Sequence, residues 1–113
     1  MVTHYMNLHH EPFISIKSGE KTIEMRLNDE KRSLIKVNDN IVFKNNETNE
    51  EIKVLVINIY QYESFEELYK HHDKVSIGYK KDEIARPEDM LVYYSKEKIE
   101  KYGVLGIEIK LEK

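Results

Sequence analysis

The sequence predicts a small α+β domain, mainly β: a barrel of mostly antiparallel strands with helices packed on its outside. Three observations lead there. The chain has 113 residues, the size of one domain spanning 1–113. Several segments show the period-2 alternation or β-branched enrichment of strands. The elements run strand, helix, three strands, three helices, strand, without the regular alternation of a doubly wound sheet. A chain this short removes roughly 65% of its unfolded surface from water, which suggests one modest core and no second.

Residues 3–8, Thr-His-Tyr-Met-Asn-Leu, read as the first strand. Glu11-Pro12 opens a short helix, with Pro12 near the first position, where a missing N–H is harmless. Phe13, Ile14 and Ile16 supply its apolar side, and Gly19 suits the left-handed residue just past its end. From Lys21 to Leu27 the residues alternate, Ile23, Met25 and Leu27 on one face, Thr22, Glu24 and Arg26 on the other. That is the period of a half-buried strand. Asn28–Lys36 is polar and reads as a loop or a single helical turn. Ile41–Lys44 reads as a strand, residues 44–50 as a hairpin turn, and Ile52–Tyr62 as the longest strand. The run Val54-Leu55-Val56-Ile57 suggests cover on both faces there.

Ser64-Phe65-Glu66-Glu67 is a capping box, in which Ser64 and Glu67 would satisfy each other's N–H groups. The helix behind it places Phe65, Leu68 and Tyr69 on one side. Residues 71–82 carry the least pattern. Pro87-Glu88-Asp89 starts a helix through Met90, Leu91 and Tyr94. Ser95 can cap another that ends at Gly103, and Val104–Leu111 closes the chain with Leu105, Ile107, Ile109 and Leu111 on one strand face.

Composition excludes several function classes. Cysteine is absent, which removes disulfides, thiolate nucleophiles and Cys-based metal sites. No run of ~18 apolar residues occurs, so no membrane span is expected. The first residues lack the basic-then-apolar layout of a signal peptide, and a cytoplasmic protein is the default expectation. The net charge of −3 does not suit a generic nucleic-acid coat. The charge is uneven, however: residues 1–36 sum to +1, residues 37–72 to −4 and residues 73–113 to zero. An anionic ligand would sooner approach the first third.

The chemistry is concentrated in Gly19-Glu20-Lys21-Thr22-Ile23-Glu24-Met25-Arg26. An amine, a hydroxyl, a carboxylate and a guanidinium fall within six residues, Lys21 to Arg26, directly after a helix stop. Glu24 can accept hydrogen bonds from a base edge or a sugar. Arg26 can hold Glu24 or grip a phosphate with its planar fork. Lys21 offers a point charge, or a base if burial lowers its pKa. Strict alternation puts Lys21 opposite Glu24, so the two meet only if the backbone after Gly19 is irregular or if Lys21 reaches around the strand's end. The plain alternative is an ordinary Glu24–Arg26 pair on a solvated strand face, which would contribute little.

This segment resembles the signature of the ASCH (activating signal cointegrator homology) domain family, a branch of the PUA-like barrels. That signature, Gly-x-Lys-x-x-Glu-x-Arg after the first helix, appears here as Gly19, Lys21, Glu24 and Arg26. Residues 35–43, Ile-Lys-Val-Asn-Asp-Asn-Ile-Val-Phe, are similar to the family's turn into a barrel strand, with Asn38 where the pattern has Gly. Tyr62-Glu63-Ser64-Phe65 resembles its strand-to-helix step, and Tyr94-Ser95 with Tyr102–Ile107 its last helix and closing strand. The ordered set covers most of the chain.

The resemblance implies a small PUA-like β-barrel with a cleft that binds RNA, a nucleotide or a modified nucleoside. It implies Lys21, Thr22, Glu24, Arg26 and Tyr94 as ligand-binding residues. Some bacterial relatives are amidohydrolases that deacetylate N4-acetylcytidine with the signature Lys, a Thr three residues later and a downstream carboxylate. Here the Lys position is Lys21 and the Thr position is Glu24, with Thr22 nearby. If the protein is an enzyme, of this kind or as an RNA hydrolase, Lys21 and Glu24 are its catalytic candidates. A third reading is a protein-interaction module without catalysis, marked by an exposed apolar patch.

The remaining motifs add little chemistry. The histidine pairs His9-His10 and His71-His72 are adjacent, so their rings diverge, and HExxH is absent. Neither a metal nor a cofactor is expected, although His9 or His10 could line a cleft. Of the tyrosines, Tyr60 and Tyr62 would fill a strand face, and Tyr69, Tyr93 and Tyr102 would anchor helices.

Overall fold

The computed structural model describes residues 1–112. Its strands are β1 (Thr3–Leu8), β2 (Ile23–Leu27), β3 (Asn40–Asn45), β4 (Glu51–Tyr62) and β5 (Val104–Leu111). Its α-helices are α1 (His10–Lys17), α2 (Phe65–His71) and α3 (Lys96–Tyr102). The polar stretch after β2 holds a single 3₁₀ turn, Arg32–Leu34, and the segment from Pro87 to Val92 is 3₁₀ where the sequence suggests an α-helix. No helix among the described residues is long and apolar enough to cross a membrane.

The strands form one sheet in the order β1-β3-β4-β5-β2. β1 and β3 are parallel, and the other pairs are antiparallel. The parallel pair is possible because α1, β2 and the 3₁₀ turn lie between its strands and supply a long crossover. The sheet curls into a half-barrel. Its outer strands, β1 and β2, share no ladder, but the Arg26 guanidinium crosses the seam and donates to the Asn7 carbonyl at 3.1 Å.

Local signals explain most element ends. Gly19 has φ +87° and closes α1, as its position suggests. Asn38 takes φ +78° in the turn into β3, so Asn replaces Gly there without loss of the conformation. The next residue, Asp39, accepts hydrogen bonds from the Val2 and Lys36 amides and from His4, tying the start of β1 to that turn. Ser64 and Ser95 cap α2 and α3, accepting from the amides of Glu67 and Lys98. The reciprocal half of the capping box does not form: the Glu67 carboxylate takes the Lys70 amine instead.

Two expectations about burial are corrected. In β4, Val54 and Val56 are fully buried, but Ile57 is exposed. A β-bulge between Val56 and Asn58 inserts Ile57 as an extra residue and pushes it out. Nor is there a single core. One apolar cluster fills the inside of the curl, with Phe13, Phe43, Val54, Val56, Leu105 and Ile107 at its centre. A second, with Ile23, Met25, Leu27, Phe65, Leu68 and Val104, lies on the outer face under α2 and α3. A two-sided core is possible in so short a chain because both clusters share one sheet. β5 serves both, with Leu105 and Ile107 inward and Val104 outward.

Candidate functional site

Both faces of β2 are buried, and that fact builds the site. Ile23, Met25 and Leu27 enter the outer cluster. Register then dictates the rest: Glu24 and Arg26 pair with Ile107 and Leu105, whose side chains belong to the inner cluster. The polar face of β2 therefore points into the seam of the half-barrel, where Glu24 is 3% exposed. A solvated Glu–Arg pair is not what forms.

Lys21 joins them because the strand has not yet begun. After Gly19 the chain turns, and the Lys21 amide donates to Ser15. The Thr22 and Ile23 amides both donate to one carbonyl, Ser76, at 2.9 Å each. Two successive donors on one acceptor break the alternation of an extended strand. Lys21 thereby lands on the side of Glu24. Its Nζ lies 2.8 Å from Glu24 Oε1, while Arg26 Nε donates to Glu24 Oε2 at 2.7 Å. One buried anion is held between two cations.

The electrostatics follow from that clamp. Burial pushes the Glu24 carboxyl up, but the charges and hydrogen bonds of Lys21 and Arg26 outweigh it and hold the group below the usual carboxylate range. Burial likewise opposes the charge on Arg26, and Glu24 more than restores it. With both Glu24 oxygens engaged, the spare N–H donors belong to Lys21 and Arg26. The trio carries two positive charges against one negative and offers donors to an acceptor-bearing ligand.

These residues line a cleft of about 630 Å³ between α1, the seam and the segment from Val75 to Tyr94. That volume suits a nucleoside-sized ligand. Tyr94 lines it too, stacked on Phe65 with ring centres 6.0 Å apart. Thr22 does not line the cleft, since it sits where the backbone is pinned to Ser76. His9 lines the cleft, whereas His10 contacts Asn45 away from it. Tyr93 is 59% exposed and stands at the rim beside His9, so it does not anchor a helix.

Residues 75–89 are the wall that pattern reading missed. Gly78, at φ +116°, lies directly on the Lys21 side chain: a Cβ there would sit 3.2 Å from Lys21 Cδ. Tyr79 fastens the wall. Its hydroxyl hydrogen-bonds to Tyr69 and to Asp89, each at 2.8 Å. Burial and these two partners raise the Tyr79 phenol far above its ordinary value, so it stays a neutral donor. The only sequence signal for this wall is Ile77-Gly78-Tyr79, an apolar residue, a glycine and an aromatic inside a polar stretch. No group of His, Asp and Glu able to hold a metal ion occurs among the described residues.

The family model described as the ASCH domain matches residues 6–113. Among solved structures, the crystal structure of the hypothetical protein PH0355 is 34% identical, covers 98% of this chain and 100% of its own, and superposes with a TM-score of 0.83. Protein PF0455 from Pyrococcus furiosus, solved in solution by NMR, is 33% identical over 97% of each chain, with a TM-score of 0.73. The crystal structure of a mutant ZmASCH protein from Zymomonas mobilis shares the fold, with a TM-score of 0.62 at 15% identity over 96% of this chain and 67% of that one. Curated proteins give no match.

Proposed function

The chain belongs to the ASCH domain family, and from that footing we propose that it is a binding domain for RNA, a nucleotide or a modified nucleoside, held in the cleft over Lys21, Glu24 and Arg26. One observation carries the reading: two cations are drawn from water by a buried carboxylate, yet both line an open cleft. Such an arrangement is costly unless the desolvated donors are used. In this reading Glu24 is the pivot and does not itself read a base edge. Lys21 and Arg26 donate to carbonyl or ring-nitrogen acceptors of the base. Tyr94, with Tyr93 and His9 at the rim, supplies flat surface for stacking. Thr22 has no part, since it does not line the cleft. The chain acts as one domain with one such site, and a ligand of this kind belongs with a cytoplasmic protein.

A thermal-shift screen against nucleosides, N4-acetylcytidine and short single-stranded RNA tests this. A true ligand at a hundredfold excess over Kd adds roughly 2.7 kcal/mol of stability. That gain should vanish in Arg26→Ala. A screen without any shift would remove the reading, and a shift that survives Arg26→Ala would move the site elsewhere.

The second reading, an amidohydrolase, is favoured by one feature: Lys21 shares the cleft with the carboxylates of Glu83 and Asp89. A Lys-assisted amide cleavage needs such acids. Glu24 stands in the Thr position, so a hydroxyl would have to come from elsewhere, and Ser15 and Ser18 line the cleft from α1. Chromatography of N4-acetylcytidine incubated with the protein decides it. Cytidine release that is lost in Lys21→Ala supports turnover, and no product at high protein concentration removes it.

A further inference from the structure

Beside the cleft lies a second hollow of about 450 Å³. Tyr93 and Tyr94 line both, so the two rings form the ridge between them. The hollows differ in charge. The cleft lining carries five carboxylates against three Lys/Arg cations. The second hollow carries Arg32 and Lys98 against Asp29 alone. Lys98 is exposed and has no ion-pair partner among the described residues. Arg32 donates through Nη1 to Asp29 at 2.9 Å, while its buried Nε has no acceptor. Burial pushes the Tyr94 phenol up, and Arg26 from one side and Arg32 from the other both draw it back, so the ridge lies in the field of both hollows.

A nucleotide has two parts with opposite needs. Its base wants flat surface and hydrogen-bond partners, and its phosphate wants cations and no carboxylates. The acidic cleft repels a phosphate, while the adjoining hollow attracts one. We propose that the hollow holding Arg32 and Lys98 is the phosphate subsite of the cleft. The base lies over Lys21 and Arg26, the sugar crosses the Tyr93–Tyr94 ridge, and the phosphate rests against Lys98 and the Arg32 guanidinium. This rests on reading the cleft as a nucleoside site. The shared chemistry is a phosphate ester, from a free mononucleotide or from the next linkage of an RNA strand.

Calorimetric titration of the whole protein with the four ribonucleosides, their 5′- and 3′-monophosphates and the corresponding dinucleotides tests the subsite. The best nucleoside should bind about tenfold tighter when phosphorylated, as a charge-assisted contact gives, and the gain should shrink as salt rises. A gain with monophosphates points to a free nucleotide, and a gain confined to dinucleotides points to a strand. Lys98 is exposed, so Lys98→Glu keeps the fold, and it should drive the ratio of phosphorylated to unphosphorylated affinity to one or below. A nucleoside that binds without any gain from phosphate, or a gain that survives Lys98→Glu, overturns the subsite and leaves the cleft reading standing. Failure of every nucleoside and every phosphorylated probe to bind overturns both.

Discussion

Glu24 decides most at the scale of single residues. Among the described residues its carboxylate is the only anion in contact with two cations that are themselves nearly buried. Removing it leaves Lys21 and Arg26 desolvated and facing each other. Glu24→Ala should therefore destabilise by about 3 kcal/mol in urea melts, the loss typical of breaking a buried pair from one side. A loss within the range of a surface pair, well under 1 kcal/mol, would mean the trio is solvated. Gly78 is the second such position. Alanine there must adopt a left-handed backbone and crowd Lys21 Cδ. Gly78→Ala should weaken ligand binding as well as lower Tm. A variant with lowered Tm and unaltered affinity would show that the wall does not position Lys21.

At the scale of elements, legibility followed pattern. The alternation from Ile23 to Leu27, the Gly19 stop and the serine caps at Ser64 and Ser95 are local signals, and all appear in the structure, the Ser64 box by its serine half alone. The direction of the polar face of β2 was not local. Whether Glu24 and Arg26 meet water or the seam depends on pairing with β5, whose partners lie some eighty residues away in sequence. Strict alternation puts Lys21 opposite Glu24, and the double donation to Ser76 overrides it. The wall over the cleft was unreadable for the same reason. It has no helical or strand period and is held by the Tyr69–Tyr79–Asp89 contacts. Tyr79→Phe removes the hydroxyl's contacts with Tyr69, Asp89 and the Arg86 carbonyl with little change in packing volume. It should cost about 1 kcal/mol for each bond lost and raise hydrogen exchange across residues 74–89 selectively. Uniform exchange would show that the wall is held by packing alone.

The whole molecule gathers two apolar clusters and two low-pKa carboxylates on one curled sheet, and its acid stability reflects the latter. The hydrogen bond from His4 is the main influence on Asp39, and with the Lys36 and Val2 amides it outweighs burial and lowers the carboxyl. Glu24 is lowered by its two cations against burial. Both groups bind protons more weakly folded than unfolded, so their stabilisation is complete above the unfolded values, about 4, and is lost as pH falls through the lower folded ones. Unfolding free energy should hold level, as far as these groups are concerned, above about pH 5 and decline below about pH 4. Asp39→Asn and Glu24→Gln should each flatten that decline, and an unchanged slope in both would show that other groups govern acid unfolding. Whether the seam of the half-barrel is a nucleoside-binding cleft, as proposed, is decided by titrating isotope-labelled protein with the nucleoside panel and following backbone amide shifts by NMR. Shifts should concentrate at Lys21, Arg26, Gly78 and Tyr94. Shifts confined to another surface, such as that around Tyr60 and His72, whose ring centres lie 4.7 Å apart, or no shifts at all, would contradict the proposal.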